Sequence, residues 1–258
     1  MDLEIKDQRF IVCGASSGFG KAIAELLLEN GAQVIAVARR KEKLAELEEA
    51  FPEKVTTVTG NLTDDETHHK IESAIGNEVL HGVVVNAGGP PVLSPLETAI
   101  FDWDKAYQNV MRWKIELVLR LVPYFSPNQY GRILFIESQS VKQPIPSLVL
   151  SNSYRAAVVG FAKSLSEEVS KDGITVNVIA PGSHNTPAIK RVIKKKSEET
   201  DKSEDEVRRE MEESIPVGRM GEAKELASLA AWILSPRASF VTGQTFSHAG
   251  GNVKGLFG

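Results

Sequence analysis

The strongest constraint in this chain is a rhythm of short, continuously apolar segments, each followed by a longer amphipathic one. Residues 9–13, 33–38, 54–59, 82–86, 132–136, 174–179 and 243–247 read as strands. Most are runs of Val, Ile and Leu without polar alternation, so both faces of such strands need cover. Residues 18–30, 41–50, 63–74, 101–124, 152–170 and 223–234 read as helices. In the first of these, Ala22, Ile23, Leu26 and Leu27 share one face, and Gly31 follows as a stop. The third opens on acidic residues, which suit the positive end of a helix. Strands that alternate with helices in this way pair in parallel through right-handed crossovers. The expected fold is α/β: a doubly wound parallel sheet of about seven strands with helices on both faces.

Composition narrows the class. The 258 residues are 42% hydrophobic and 25% charged, which suits one globular domain over 1–258 with a core of its own. A substrate pocket must then come from loops of that same domain. With 30 Lys+Arg against 34 Asp+Glu, net −4, no broad nucleic-acid footprint is expected. The single cysteine, Cys13, excludes an internal disulfide framework and a cysteine zinc cluster, and no metal site is expected. No apolar run approaches the ~18–20 residues that span a bilayer, and no membrane partner is expected. Residues 1–7 are charged and lack a signal-peptide core, so the expectation is a soluble, cytoplasmic protein. Residues 190–214 stand apart as rich in Lys and Glu. The insertion, taken as 187–215, is either a solvated helical excursion or a lid over a substrate pocket.

The first strand runs into Cys13-Gly14-Ala15-Ser16-Ser17-Gly18-Phe19-Gly20, and a helix follows at once. Glycines in a strand-to-helix turn let backbone N–H groups approach a pyrophosphate, and the helix N-terminus adds a favourable field. Here strand and helix both flank the turn, as a dinucleotide site requires. The second strand ends Ala38-Arg39-Arg40, with no carboxylate for a ribose 2′-hydroxyl. Guanidinium forks match phosphate geometry, so NADP(H) is expected over NAD(H).

With these features the chain resembles the short-chain dehydrogenase/reductase family along nearly its whole length. Asn86-Ala87-Gly88 resembles the family's Asn-Ala-Gly signature, and Pro181-Gly182-Ser183-His184-Asn185-Thr186 its Pro-Gly-x-x-x-Thr segment beside the nicotinamide. Asn61-Leu62 stands where the family has Asp and an apolar residue around the adenine. Ser247-His248-Ala249-Gly250-Gly251 resembles a C-terminal Val-Asp-Gly-Gly segment without its Asp, and Cys13 takes the place of a usual Thr. The resemblance implies a Rossmann-like domain. It assigns cofactor contacts to Gly14, Ser16, Ser17, Gly18, Phe19, Gly20, Arg39, Arg40, Asn61, Leu62, Asn86, Ala87, Gly88, Pro181, Gly182 and Thr186. Pro216-Val217-Gly218-Arg219 and the overall pattern look most like 3-oxoacyl-carrier-protein reductases and sugar or hydroxysteroid dehydrogenases.

The family's chemistry rests on a Ser, a Tyr-x-x-x-Lys pair and a helix Asn. Ser138 matches the Ser, but the Tyr and Lys positions fall on Ser151 and Arg155, as in a divergent Ser-x-x-x-Arg branch. The Asn position falls on Val110, beside Asn109. Ser138, Ser151 and Arg155 are therefore the catalytic candidates. Ser138 would orient a carbonyl, Ser151 would hydrogen-bond its oxygen, and Arg155 would hold ribose or substrate charge. A positioned general acid is worth about 10²–10⁴ in rate. His184, Tyr154 and Glu137 are ionisable side chains that could replace the tyrosine. His184 and Tyr154 each have a plainer reading, as a hydrogen-bonded loop residue and a packing residue.

Two functions follow. One moves hydride between NADP(H) and a carbonyl or alcohol of 3-oxoacyl-thioester, sugar or steroid-like class. The other is a cofactor-binding sensor or partner subunit with little turnover; a lyase or isomerase using the same pocket stands behind both. Loops 90–96 and 143–150 would shape substrate choice. The resemblance also implies a homotetramer or homodimer joined through helices 101–124 and 152–170 and the apolar tail 255–258.

Overall fold

The structure, a computed structural model, describes residues 2–125 and 129–256. Its sheet orders seven strands β3-β2-β1-β4-β5-β6-β7, and every pairing is parallel. These are β1 (Arg9–Cys13), β2 (Gln33–Ala38), β3 (Val55–Thr59), β4 (Gly82–Val85), β5 (Gly131–Ile136), β6 (Ile174–Pro181) and β7 (Thr245–His248). The chain winds outward from β1 to β3, then returns to β4 and winds the other way. The crevice above the C-terminal ends of β1 and β4 is therefore the switch point where such sheets bind ligands.

Alternate side chains of each strand serve opposite layers. Phe10 and Val12 pack with α1 (Gly18–Glu29), α2 (Lys41–Ala50) and α9 (Ala223–Leu234) through Ile23, Leu27, Leu44, Leu226 and Ala230. Ile11 and Cys13 face α3 (Asp65–Ile75), α5 (Trp113–Phe125) and α6 (Val149–Val169) through Ile71, Leu117, Leu121, Val158 and Leu165. Continuous apolar strands thus buried on both faces fulfil the doubly wound expectation.

The helix expected over 101–124 is broken into α4 (Ile100–Ala106), one wide π-turn at Tyr107–Arg112, and α5. Buried Trp113 sits at this junction, and its indole N–H donates to the Asn109 carbonyl at 2.9 Å. A side chain that takes a ladder carbonyl loosens the turn around it. Helix α6 starts three residues earlier than expected, placing Ser151 in its first turn. The Lys/Glu-rich segment forms α7 (Pro187–Thr200) and α8 (Glu204–Glu213). Ile193 and Val207 close their own small core with Ile215 and Met220. Lys195 Nζ donates to the Val92 carbonyl at 2.7 Å, tying α7 to the loop after β4. Among the described residues no helix is long and apolar enough to cross a membrane. Of the tail 255–258, Leu256 is exposed, while Phe257 and Gly258 lie outside the described residues.

Candidate active site

The glycine turn leads from β1 into α1. Gly14 and Gly18 take φ of +70° and +58°, a region that side chains rarely enter. A Cβ on Gly20 would lie 2.4 Å from the Gly14 carbonyl oxygen, and one on Gly14 would lie 2.8 Å from Asn86 Nδ2. Asn86 braces the turn from the end of β4, donating to the Cys13 carbonyl at 3.2 Å. No side chain caps α1, whose N-cap is Ser17, so the first N–H groups of Gly18, Phe19 and Gly20 face the crevice. Arg40 Nη2 donates to the carbonyl and Oγ of Ser16 at 3.1 and 3.0 Å. Arg39 beside it is exposed. A close-approach turn, an open helix N-terminus and two guanidiniums fit a dinucleotide with an extra phosphate.

Other expected contacts are placed less evenly. Gly18 approaches Thr186, whose Cβ would lie 3.7 Å from a Cβ on that glycine, so the turn and the 181–186 segment meet. Gly182 is held by its N–H, which donates to the His248 carbonyl at 3.0 Å, as β6 sets Pro181 opposite His248. Ala87 packs on the core and Gly88 stands open. Asn61 and Leu62 lie apart, beyond β3. The Asn61 amide is taken by Thr63 Oγ1 and Asp64 at the entry to α3, and Leu62 is largely buried.

His184 is occupied rather than free. It is 3% exposed, its Nδ1 bonds the Gly182 carbonyl at 3.0 Å, and its Nε2 meets His248 Nδ1 at 2.9 Å. A carbonyl only accepts, so Nδ1 carries the proton and Nε2 accepts from His248. Phe19 packs edge-on against the ring with centroids 5.0 Å apart. Burial is the largest cause holding the His184 pKa below its usual range, with His248 nearby acting the same way. An unfolded histidine therefore binds its proton first, near pH ~6.5, and stability drops as pH falls from there through the lower folded value. Unfolding in denaturant at pH 7.5 and 5.5 should show a smaller acid loss in His184→Gln than in wild type; equal losses would contradict this.

The catalytic candidates gather at the ends of β5 and α6. Ser138 caps a short 3-10 turn, Gln139–Val141, and its Oγ accepts the Ser140 N–H at 3.2 Å. Arg155 Nε donates to Ser151 Oγ at 3.1 Å. Its Nη1 donates to the carbonyl and Oε2 of Glu137 at 3.1 and 2.9 Å. Lys114 Nζ donates to the other carboxylate oxygen of Glu137 at 2.5 Å. The side chains of Lys114, Glu137 and Arg155 are 1%, 0% and 7% exposed. Burial pushes Lys114 down to about 8, with Glu137 opposing the shift and Arg155 adding to it. Arg155 Nη2 faces the loop after β4, where a Cβ on Gly89 would lie 3.4 Å away.

Two ionisable substitutes take the plainer reading. Tyr154 packs on Trp103 and Tyr107 of the α4 region, with centroids 5.8 and 6.1 Å away. Its hydroxyl pKa is raised, chiefly by burial. His184 is spent on the pair just described. Val110 is buried and apolar. Cys13 faces the core, and burial pushes its thiol up to about 12, which makes it packing. The sequence reading missed Lys114. Its signal was a cation at the spacing of Leu117, Val118 and Leu121, on the buried stripe of α5.

A parallel sheet with a glycine turn at its switch point defines a dinucleotide-binding α/β domain. The family model described as enoyl-(acyl carrier protein) reductase matches residues 14–252. The chain belongs to the short-chain dehydrogenase/reductase family. It is 31% identical over 250 residues to the 3-oxoacyl-[acyl-carrier-protein] reductase of Rickettsia conorii, covering 96% of this chain and 98% of that one. It is 28% identical over 258 residues to an NADPH-dependent reductase of Bacillus subtilis, covering 95% and 97%. Among solved structures, L-sorbose reductase from Gluconobacter frateurii, in complex with NADPH and L-sorbose, superposes with TM-score 0.92 at 28% identity, covering 99% of this chain and all of that one.

Proposed function

We propose that the protein is an NADP(H)-dependent oxidoreductase of a carbonyl or alcohol substrate. The single observation that supports this most is the braced glycine turn, with Arg40 at its rim, at the same end of the parallel sheet as the Ser138–Ser151–Arg155 group. The Bacillus relative is an NADPH-dependent reductase and the sorbose reductase binds NADPH, which agrees with the guanidiniums here. When bound, the cofactor supplies or accepts the hydride. The chain's own residues handle the oxygen. Ser151 accepts from Arg155, so its hydroxyl hydrogen is turned away to donate to a substrate oxygen. Ser138 accepts from the Ser140 N–H and keeps its own hydrogen for the same task. Two preset donors beside a guanidinium stabilise a developing alkoxide. The acyl-thioester and ketose specificities of the relatives give the classes to try first. The α7–α8 hairpin, bonded to the 90–96 loop through Lys195, is our proposed lid.

Turnover should appear as NADPH oxidation against a panel of β-keto thioesters, ketoses and quinones, and disappear in Ser138→Ala. Saturable NADPH binding with no turnover on the panel would favour the sensor reading, which the clamping of Arg155 by Glu137 motivates. NADPH should bind more tightly than NADH. In Arg40→Ala that preference should shrink about ten- to a hundredfold, the worth of one or two charge-assisted bonds; tighter NADH binding by wild type overturns the cofactor assignment. The proposal places the protein in the cytoplasm as a homodimer or homotetramer. Ile100, Phe101 and Leu119 expose apolar surface at 77%, 70% and 54% on the α4–α5 arm. A monomer in sedimentation velocity would contradict it.

A further inference from the structure

Lys114, Glu137 and Arg155 form a buried chain of charges that ends on the hydroxyl of Ser151. Two cations share one carboxylate, so the chain holds one positive charge that nothing in it neutralises. The other titratable group against Lys114 is Cys13, a thiol that burial keeps protonated and uncharged. The guanidinium is a rigid plane. Once Nη1 is fixed to the carbonyl and carboxylate of Glu137, Nε is fixed on Ser151, and Lys114 in turn anchors that carboxylate. Among the described residues nothing accepts from Arg155 Nη2, which lies toward the open loop after β4.

We propose that Lys114 and Glu137 are positioning residues: through Arg155 they turn the Ser151 hydroxyl into a donor for a substrate oxygen and hold a net positive charge against that oxygen. This rests on the carbonyl–alcohol reading of the pocket. The charge of the chain can be set by substitution. Lys114→Met leaves it neutral, Glu137→Gln leaves two cations, and the double variant K114M/E137Q restores one charge without the anchor. A purely structural ion cluster would make activity follow the folded fraction alone.

Two measurements decide, with folded fractions checked by circular dichroism. The first is the pH profile of kcat. Lys114 loses its proton above about 8 and the chain becomes neutral, so the reductive kcat should fall above that pH in wild type. In Lys114→Met, kcat should be about 10- to 100-fold lower, the alkaline fall near 8 should vanish, and NADPH affinity should stay within about twofold. In K114M/E137Q, kcat should remain low because orientation is lost although charge is not. Wild-type kcat with an unchanged profile in Lys114→Met, or recovery in the double variant, overturns the positioning role. The second measurement needs no turnover: 4-nitrophenol, added to the NADP⁺ complex, is titrated by its phenolate absorbance. Wild type should lower the apparent pKa of the probe, and Lys114→Met and Ser151→Ala should not. An unshifted probe in wild type overturns the proposal. A shifted probe with no turnover on any panel substrate leaves the charge assignment standing and removes the reductase reading.

Discussion

Gly20→Ala should raise the NADPH dissociation constant by more than about a hundredfold. The new Cβ would lie 2.4 Å from the Gly14 carbonyl oxygen, 2.6 Å from its carbon and 2.9 Å from Asn86 Nδ2. Two of those atoms are backbone and the third belongs to the strut between β4 and β1, so no flexible side-chain end can move aside. The turn itself must shift, which withdraws its N–H groups from the phosphates. Losing two hydrogen bonds to a charged group, at about 1.5–3 kcal/mol each, corresponds to at least a hundredfold. Calorimetric titration with NADPH reads the effect, and circular dichroism verifies that the variant is folded. Gly160→Ala is the control. It lies at an exposed position of α6 with nothing within 4 Å of an added Cβ, and should gain about 0.5–1 kcal/mol of helix stability. Binding by Gly20→Ala within fivefold of wild type would show that the turn is not the phosphate site.

Glu137→Ala should destabilise the fold by about 3–5 kcal/mol, because it leaves two buried cations facing each other without their carboxylate. For a chain of this size that is on the order of 10 °C in Tm. The value reflects the cost of an unpaired buried charge and not the worth of the intact cluster. Replacing Lys114, Glu137 and Arg155 together with apolar residues of similar volume should therefore cost far less. A loss under about 1 kcal/mol in Glu137→Ala, measured by denaturant unfolding, would mean that water reaches the cluster.

How much of this was legible depended on the range of the interactions. The strands and α1 were readable because periodicity is local: Phe10 and Val12 serve one layer, Ile11 and Cys13 the other. The glycine turn was readable because strand, turn and helix are contiguous. The cluster under Ser151 was not, because its members lie on three elements and meet only when β5, α5 and α6 pack. Glu137 was visible as an ionisable neighbour of Ser138, but its partner Lys114 is 23 residues away in sequence. The same holds for His184 and His248, separated by 64 residues and joined by the pairing of β6 with β7. Arg155 was expected to reach toward ribose or substrate. Its Nε and Nη1 are instead committed inward, because a buried carboxylate must be matched. The π-turn had no local signal, since Trp113 reads as an ordinary apolar helix residue.

The bond between His184 and His248 also has a consequence for biosynthesis. The glycine turn belongs to an early part of the domain, yet the 181–186 segment that it meets is held by a residue of β7. The 181–186 segment gains its partner only when β7 has been made and has paired with β6. A nascent chain that has folded β1 through β6 thus presents half a pocket. Full cofactor affinity, and the stabilisation that ligand binding gives the native state, should come only once β7 has been made and has paired. A chain truncated before residue 245 should therefore bind the cofactor more weakly and gain less stability from it than the full chain.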